Sequence, residues 1–186
     1  MFPSSWQLHN AARVVTAAGI IACPSESVFG LSCDPASRSA VARLLALKNR
    51  PVAKGLIVIV ADIDQVAPWL QPLTDQHHRK LTNSWPGPAT WLIPAAPACP
   101  EWVRGEHSSL AVRVTAHPVL RRLCRLLDGP IVSTSANRSG QRPARSTLEV
   151  QLRFGNRIDY ILPGQLGTEQ RPTVIRDLIT NRLIRQ

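Results

Sequence analysis

Leu8, Ala11, Ala12, Val15 and Ala18 recur at helical spacing and Gly19 closes the run, so the pattern predicts a helix over 6–18. A short apolar strand over 20–23 follows, ended by Pro24. Asp34 or Ser37 stands where a second helix needs its cap, and Val41, Leu44, Leu45 and Leu47 supply that helix's buried stripe. Residues 55–61 read Gly-Leu-Ile-Val-Ile-Val-Ala, a continuous β-branched run typical of a strand covered on both faces. Asp62 then caps a short helix through Leu70, and 74–84 predicts another. Strands follow at 89–93 and 110–114 around the Pro-rich loop 94–100, then a helix over 117–127, a strand at 130–134 and a helix over 146–154. The tail offers short strands at 158–162, 173–178 and 182–184, the last two joined hairpin-fashion by Thr180-Asn181. Strands alternating with helices predict the α/β class, and the close spacing of some strands predicts a mixed sheet.

Composition narrows this picture. The 186 residues suit a single domain over 1–186, and 44% hydrophobic residues give it a sizeable core. Arg, Asp, Pro or Gly interrupts every apolar run well before the roughly 18 residues that a membrane helix needs. The start, Met1-Phe2-Pro3-Ser4-Ser5-Trp6, lacks the basic opening and apolar stretch of a secretory leader, so a cytoplasmic protein is expected. Cys23, Cys33, Cys99 and Cys124 form no C-x-x-C pair, which predicts reduced, buried thiols and no structural metal.

The net charge of +10 points to polyanions, whether nucleotides, nucleic acid such as tRNA, or acidic proteins. Residues 104–186 hold 14 Arg against 6 acids, whereas 1–103 hold 8 Lys/Arg against 6, so the excess is concentrated late. Only three of the 22 basic residues are Lys, and two of them, Lys48 and Lys54, lie close together. A compact ammonium in a chain that otherwise uses Arg marks a place where a point charge is wanted.

Neither G-x-x-x-x-G-K-(S/T) nor G-x-G-x-x-G occurs, so a bound nucleotide must be held by other means. Three polar segments at the exits of predicted strands or helices offer one. Pro24-Ser25-Glu26-Ser27-Val28-Phe29-Gly30 places hydroxyls and a carboxylate after the first strand, where α/β crevices lie. Lys48-Asn49-Arg50-Pro51-Val52-Ala53-Lys54-Gly55 crowds three cations between a helix and a buried strand, as a triphosphate requires. Ser133-Thr134-Ser135-Ala136-Asn137-Arg138-Ser139-Gly140 supplies uncharged donors and acceptors fit for phosphate, ribose or an amino acid. Each alone also reads as an ordinary turn or a cationic helix end. Together they predict a basic concave crevice.

These segments resemble the YrdC-like threonylcarbamoyl-AMP synthase family. Its P-T-E-x-x-(Y/F)-G, K-x-R and S-x-N motifs are matched by 24–30, Lys48/Arg50 and Ser135/Asn137. Ser109-Leu110-Ala111-Val112-Arg113-Val114 resembles its Arg-bearing strand, Trp85-Pro86-Gly87-Pro88-Ala89-Thr90 its W-P-G-P-x-T, and 172–177 its late P-S-x-I-R-D. Two positions depart from the pattern: Ser25 stands for Thr, and Thr173 for the commoner Ser, each keeping a hydroxyl. The order of the six motifs implies a YrdC-like fold, a twisted mixed sheet flanked by helices, in the short single-domain bacterial form.

The resemblance implies that L-threonine and bicarbonate form a carbamate, which attacks the α-phosphorus of ATP to give threonylcarbamoyl-AMP and pyrophosphate. The product would serve N6-threonylcarbamoyladenosine formation at tRNA position 37, with proteins of the transferase complex accepting the adenylate. Lys48, Arg50 and Lys54 are expected to carry the chemistry: Arg50 and Lys54 on phosphates, Lys48 beside the carbamate or α-phosphate. Ser109, Ser133 and Pro143 are expected by the nucleotide, and Ser25, Arg113, Ser135 and Thr173 by threonine, with Arg113 pairing its carboxylate. Asn137 shares the loop without an assigned role, and Glu26 either orients a loop or approaches the amine. Mg²⁺ is expected on the ATP phosphates, with no protein side chain as ligand. The alternative is a non-catalytic module that binds double-stranded RNA or tRNA through the same charge.

Overall fold

The computed structural model describes residues 2–169 and 173–185. Its strands are β1 Ile21–Pro24, β2 Phe29–Ser32, β3 Ile57–Val60, β4 Ala89–Pro94, β5 Ser109–Val114, β6 Ile131–Ser135, β7 Tyr160–Ile161, β8 Val174–Asp177 and β9 Leu183–Arg185. The helices are α1 Ser5–Thr16, α2 Arg38–Lys48, α3 Asp75–Thr82, α4 Glu101–Arg104, α5 Pro118–Leu127 and α6 Thr147–Phe154. Among the described residues all nine strands join one sheet, in the order β7-β1-β2-β6-β3-β5-β4-β8-β9. The sheet is mixed: β3 runs parallel to β5 and antiparallel to β6.

Local chemistry explains the helix starts. Ser37 accepts a bond from Ala40 N and caps α2, while Asp34 instead holds Ala36 N. Ser4 and Thr74 form reciprocal capping boxes, as does Asp62 for the 3-10 segment Ile63–Trp69. Asn49 and Asp128 end α2 and α5 in the left-handed conformation.

Alternation along each strand sends side chains into two apolar layers. Val58, Val60, Trp91, Ile93, Leu110, Val112 and Val132 meet α2, α6 and the segments around α3 and α4 on one face. On the other, Leu8, Ala11 and Val15 of α1 and Val119, Leu120 and Leu123 of α5 pack onto Ile21, Cys23, Ile59 and Ile131. Full burial of each such Leu contributes about 1.5–3 kcal/mol. This second layer contains no residue of β5, β4 or β8. The half of that face formed by those strands carries the polar Thr90, Ser109 and Arg113 among Leu92, Ala111 and Ile175.

Two elements differ from the sequence reading. The segment after β1 is a hairpin turn into β2, whose Gly30 and Leu31 pair with Ser135 and Thr134. Residues 101–104, left unassigned after the loop 94–100, form the single turn α4, which lays Val103 in the core. Pro172 of the late motif lies outside the described residues. No described helix is long and apolar enough to cross a membrane.

Candidate functional site

The sheet register brings the site residues onto the face that α1 and α5 leave open. Ile57 pairs with Ser133 on one side and Ala111 on the other, and Ile59 pairs with Arg113. Ser133 and Arg113 thus point to the same side of neighbouring rows. Ser109 opens β5 opposite Pro94, and Ser135 ends β6 opposite Gly30. Pro143 is half-buried next to Ala144, whose N–H and carbonyl bind Ala136 O and Phe29 N at 3.0 and 2.8 Å.

Arg113 is almost wholly buried. Its Nη1 donates to Thr173 Oγ1 at 2.7 Å, its Nη2 lies 3.4 Å from Glu26 Oε2, and its Nε has no partner. The other Glu26 oxygen accepts from Thr115 Oγ1 at 2.7 Å. Burial pulls the Arg113 guanidinium below its ordinary value, Glu26 opposes this, and nearby Arg185 adds to it. Ser25 closes the β1–β2 turn by donating Oγ to Val28 O at 2.6 Å. Of the four residues expected at threonine, Arg113 and Thr173 touch directly, whereas Ser25 and Ser135 sit on the adjoining turn and strand end.

Lys48 ends α2 buried beneath the loop that follows β6. Its ammonium donates to Ser135 O, to Asn137 O at 2.7 Å and to Asn137 Oδ1 at 3.4 Å, which uses all three N–H groups. Ser135 Oγ donates to Asn137 Oδ1 at 2.5 Å, and Asn137 Nδ2 holds Arg138 O and Gln141 O. Burial, with Arg50 as the second cause, pushes the Lys48 ammonium down to about 8. In the free chain the Lys48 ammonium thus clasps the S-x-N loop.

Arg50 Nη2 donates to Gly55 O at 2.9 Å and Lys54 O at 3.4 Å, leaving a buried Nε unpartnered. Burial first, then Arg185, lowers its affinity for its proton. Lys54 is exposed at the end of the 3-10 turn Val52–Lys54. Gly55 follows at φ +59°, and a Cβ there would lie 2.7 Å from Arg104 O, so glycine is required for this close approach.

Arg185 was missed from sequence, where it reads as the end of a hairpin. Across the β8–β9 ladder it pairs with Ile175, and its Nη2 reaches Thr173 O at 3.4 Å. Its side chain reaches back to Thr173, whose hydroxyl Arg113 binds, and its charge is felt by both Arg50 and Arg113. Thr90, opposite Ile175 on β4, adds a fully buried hydroxyl with no partner. Buried polar atoms without partners are rare, and here they accompany clustered guanidinium groups: the arrangement accepts anions. The thiols take no part. All four are free and buried, and desolvation pushes Cys23 up to about 11 and Cys33 to about 12. A separate groove of about 720 Å³, lined by Arg43, Asn49, Arg138 and Arg157 among others, lies on the flank of the same loop rather than on this face.

Clustered guanidinium groups and hydroxyls thus share the open half of a mixed sheet, the chemistry that suits anionic small molecules. The chain belongs to the Sua5/YciO/YrdC family, described as telomere recombination, which matches residues 13–186. It is 49% identical over 181 residues to the threonylcarbamoyl-AMP synthase of Nitrosococcus oceani, covering 97% of this chain and 98% of that protein. It is 51% identical over 182 residues to the enzyme of that name from Pseudomonas aeruginosa, covering 98% of each. The crystal structure of P. abyssi Sua5 complexed with L-threonine superposes with a TM-score of 0.90 at 28% identity, covering 98% of this chain and 54% of that longer one.

Proposed function

We propose that the chain is an L-threonylcarbamoyladenylate synthase acting in N6-threonylcarbamoyladenosine formation at tRNA position 37. Threonine's amine adds to bicarbonate with loss of water, a carbamate oxygen attacks the α-phosphorus of ATP, and pyrophosphate leaves. The observation that carries this reading is the convergence of Arg50, Arg113 and Arg185 on one face, two of them with unpartnered buried Nε atoms. Near 50% identity to synthases over almost the whole chain supports it.

An anionic carbamate approaching a polyanionic nucleotide needs its charge neutralised and its path fixed, and no side-chain nucleophile is required. Arg50 and Lys54 hold phosphates, joined by Arg185, with Ser109, Ser133 and Pro143 by the nucleotide. Arg113 takes the threonine carboxylate, with Thr173, Ser25 and Ser135 around the amino acid. Lys48 acts through the loop it clasps, setting Ser135 and Asn137. Among the described residues no group of three or more His, Cys, Asp or Glu could hold a metal. The Glu26 carboxylate is already engaged by Thr115 and Arg113. Mg²⁺ carried on the ATP phosphates is part of the same proposal. Transfer of the adenylate to the transferase-complex proteins, and any direct contact with tRNA, are further parts of this proposal.

Pyrophosphate release from ATP with Mg²⁺ tests it. Release that requires both threonine and bicarbonate and falls at least about 100-fold in Arg50→Ala is expected, the size seen when one charge-stabilising donor is lost. RNA binding with a steep salt dependence and no pyrophosphate release would favour the non-catalytic alternative.

A further inference from the structure

Glu26 is 6% exposed, a carboxylate at the centre of the site whose role the sequence leaves open between orienting a loop and approaching the amine. Thr115 Oγ1 accepts from His117 N at 3.0 Å, so its proton is free to point at Glu26 Oε1, 2.7 Å away. That bond fixes one carboxylate oxygen and turns the other towards Arg113 Nη2 at 3.4 Å. The Arg113 fork is thereby set between Glu26 on one arm and Thr173 on the other. The Glu26 backbone is held as well: its carbonyl accepts from Glu169 N at 3.2 Å, and Ser25 O accepts from Gly167 N at 2.9 Å. A Cβ on Gly167 would fall 2.6 Å from Glu26 O, so that strap lies directly against the turn.

A guanidinium so deeply buried, with Arg185 as a like charge nearby, needs one fixed counter-charge to keep a single orientation. We infer that Glu26 is a positioning residue: it fixes the direction of the Arg113 fork and so sets the affinity for the amino-acid carboxylate without touching the ligand. This rests on the reading above that Arg113 receives that carboxylate.

Glu26→Gln keeps the volume and an acceptor for Thr115 while removing the charge. Expected are a fall of at least about tenfold in kcat/KM for threonine, carried by KM, an ATP KM within about twofold of the parent, and a smaller loss in Glu26→Asp. In an Arg113→Met background the same change should cost less than about twofold, because the residue it acts through is gone. An unchanged threonine KM in Glu26→Gln, equal rises in both KM values, or full additivity with Arg113→Met would each overturn the inference. If Glu26→Gln does not fold, Thr115→Val releases the carboxylate from its hydroxyl, and an unchanged threonine KM there overturns it equally. Should Arg113→Met itself leave the threonine KM unchanged, the assignment of Arg113 falls and the Glu26 inference with it. A large Arg113→Met effect beside a silent Glu26→Gln removes only the latter.

Discussion

Replacing Lys48 by Met separates a clasp from a catalytic contact. Methionine keeps most of the length and removes the ammonium that binds Ser135 O, Asn137 O and Asn137 Oδ1. Hydrogen bonds to a charged group are worth about 1.5–3 kcal/mol each, so three at the low end contribute about 4–5 kcal/mol. Against this stands the burial that lowers the ammonium from 10.5 to about 8, about 3 kcal/mol at about 1.4 kcal/mol per pH unit. The difference, about 1–2 kcal/mol, lowers Tm by only about 2–4 °C per kcal/mol in a chain of this size. Activity should fall much further, because a displacement of about 1 Å in a positioned group costs on the order of 100-fold. The assay is pyrophosphate release with ATP titrated, alongside a thermal melt, for Lys48→Met, Asn137→Ala and the double variant. If Lys48 works through the loop, the double variant is no worse than Asn137→Ala. Multiplying losses would mean that Lys48 meets the ligand independently, and a fall in Tm beyond about 15 °C would refute the near-cancellation.

The remaining predictions concern pH, backbone and core. Below about 8 the native Lys48 is charged as in the unfolded chain and its burial cost is fully present; between about 8 and 10.5 only the unfolded chain keeps the proton, so this group's contribution to stability rises with pH. The neutral amine has one N–H fewer for the loop, so kcat/KM for ATP should fall above about pH 8; a flat profile to pH 10 in the parent would contradict the clasp. Gly55→Ala meets both φ +59° and Arg104 O at 2.7 Å, and should raise the ATP KM through the displaced Arg50–Lys54 loop, read in the same titration. Leu123→Ala empties a fully buried position between α5 and the sheet; chemical denaturation should show a loss of about 2–5 kcal/mol with both KM values unchanged.

Much of the fold was written in local chemistry. Asp62 and the pair Asp34 or Ser37, of which Ser37 is the cap, announced their helices because a cap is a short-range bond between neighbours, and 55–61 announced β3 because an all-apolar run has few other homes. β2 escaped because two of its four buried residues are Gly30 and Ser32, so it carries too short an apolar run to stand out from the polar turn before it. The single turn α4 is shorter than any periodicity can register. At the site, the three polar exits were legible as chemistry but their connections were not. The Glu26–Arg113 pair, the clasp of Lys48 on Asn137 and the arrival of Arg185 all join segments distant in sequence, and strand order decides such contacts.

The location of the site follows from where the connections go. Both segments that enter and leave β4, through α3 and through α4, pack on the face carrying Val66, Leu81, Cys99 and Val103. The helices on the opposite face, α1 and α5, reach only as far as β3 and β6. Among the described residues that second apolar layer takes no residue of β5, β4 or β8, and on that side Arg113 and Thr90 stand in register beside Ala111, Leu92 and Ile175. One trace of this was visible beforehand: in Ser-Leu-Ala-Val-Arg-Val a charged residue interrupts a strand otherwise fit for a core. A guanidinium is retained at such a position when something negative balances it. Glu26 supplies one such charge in the free protein, and on the proposed reading the unpartnered Nε atoms of Arg113 and Arg50 receive a second from the ligand.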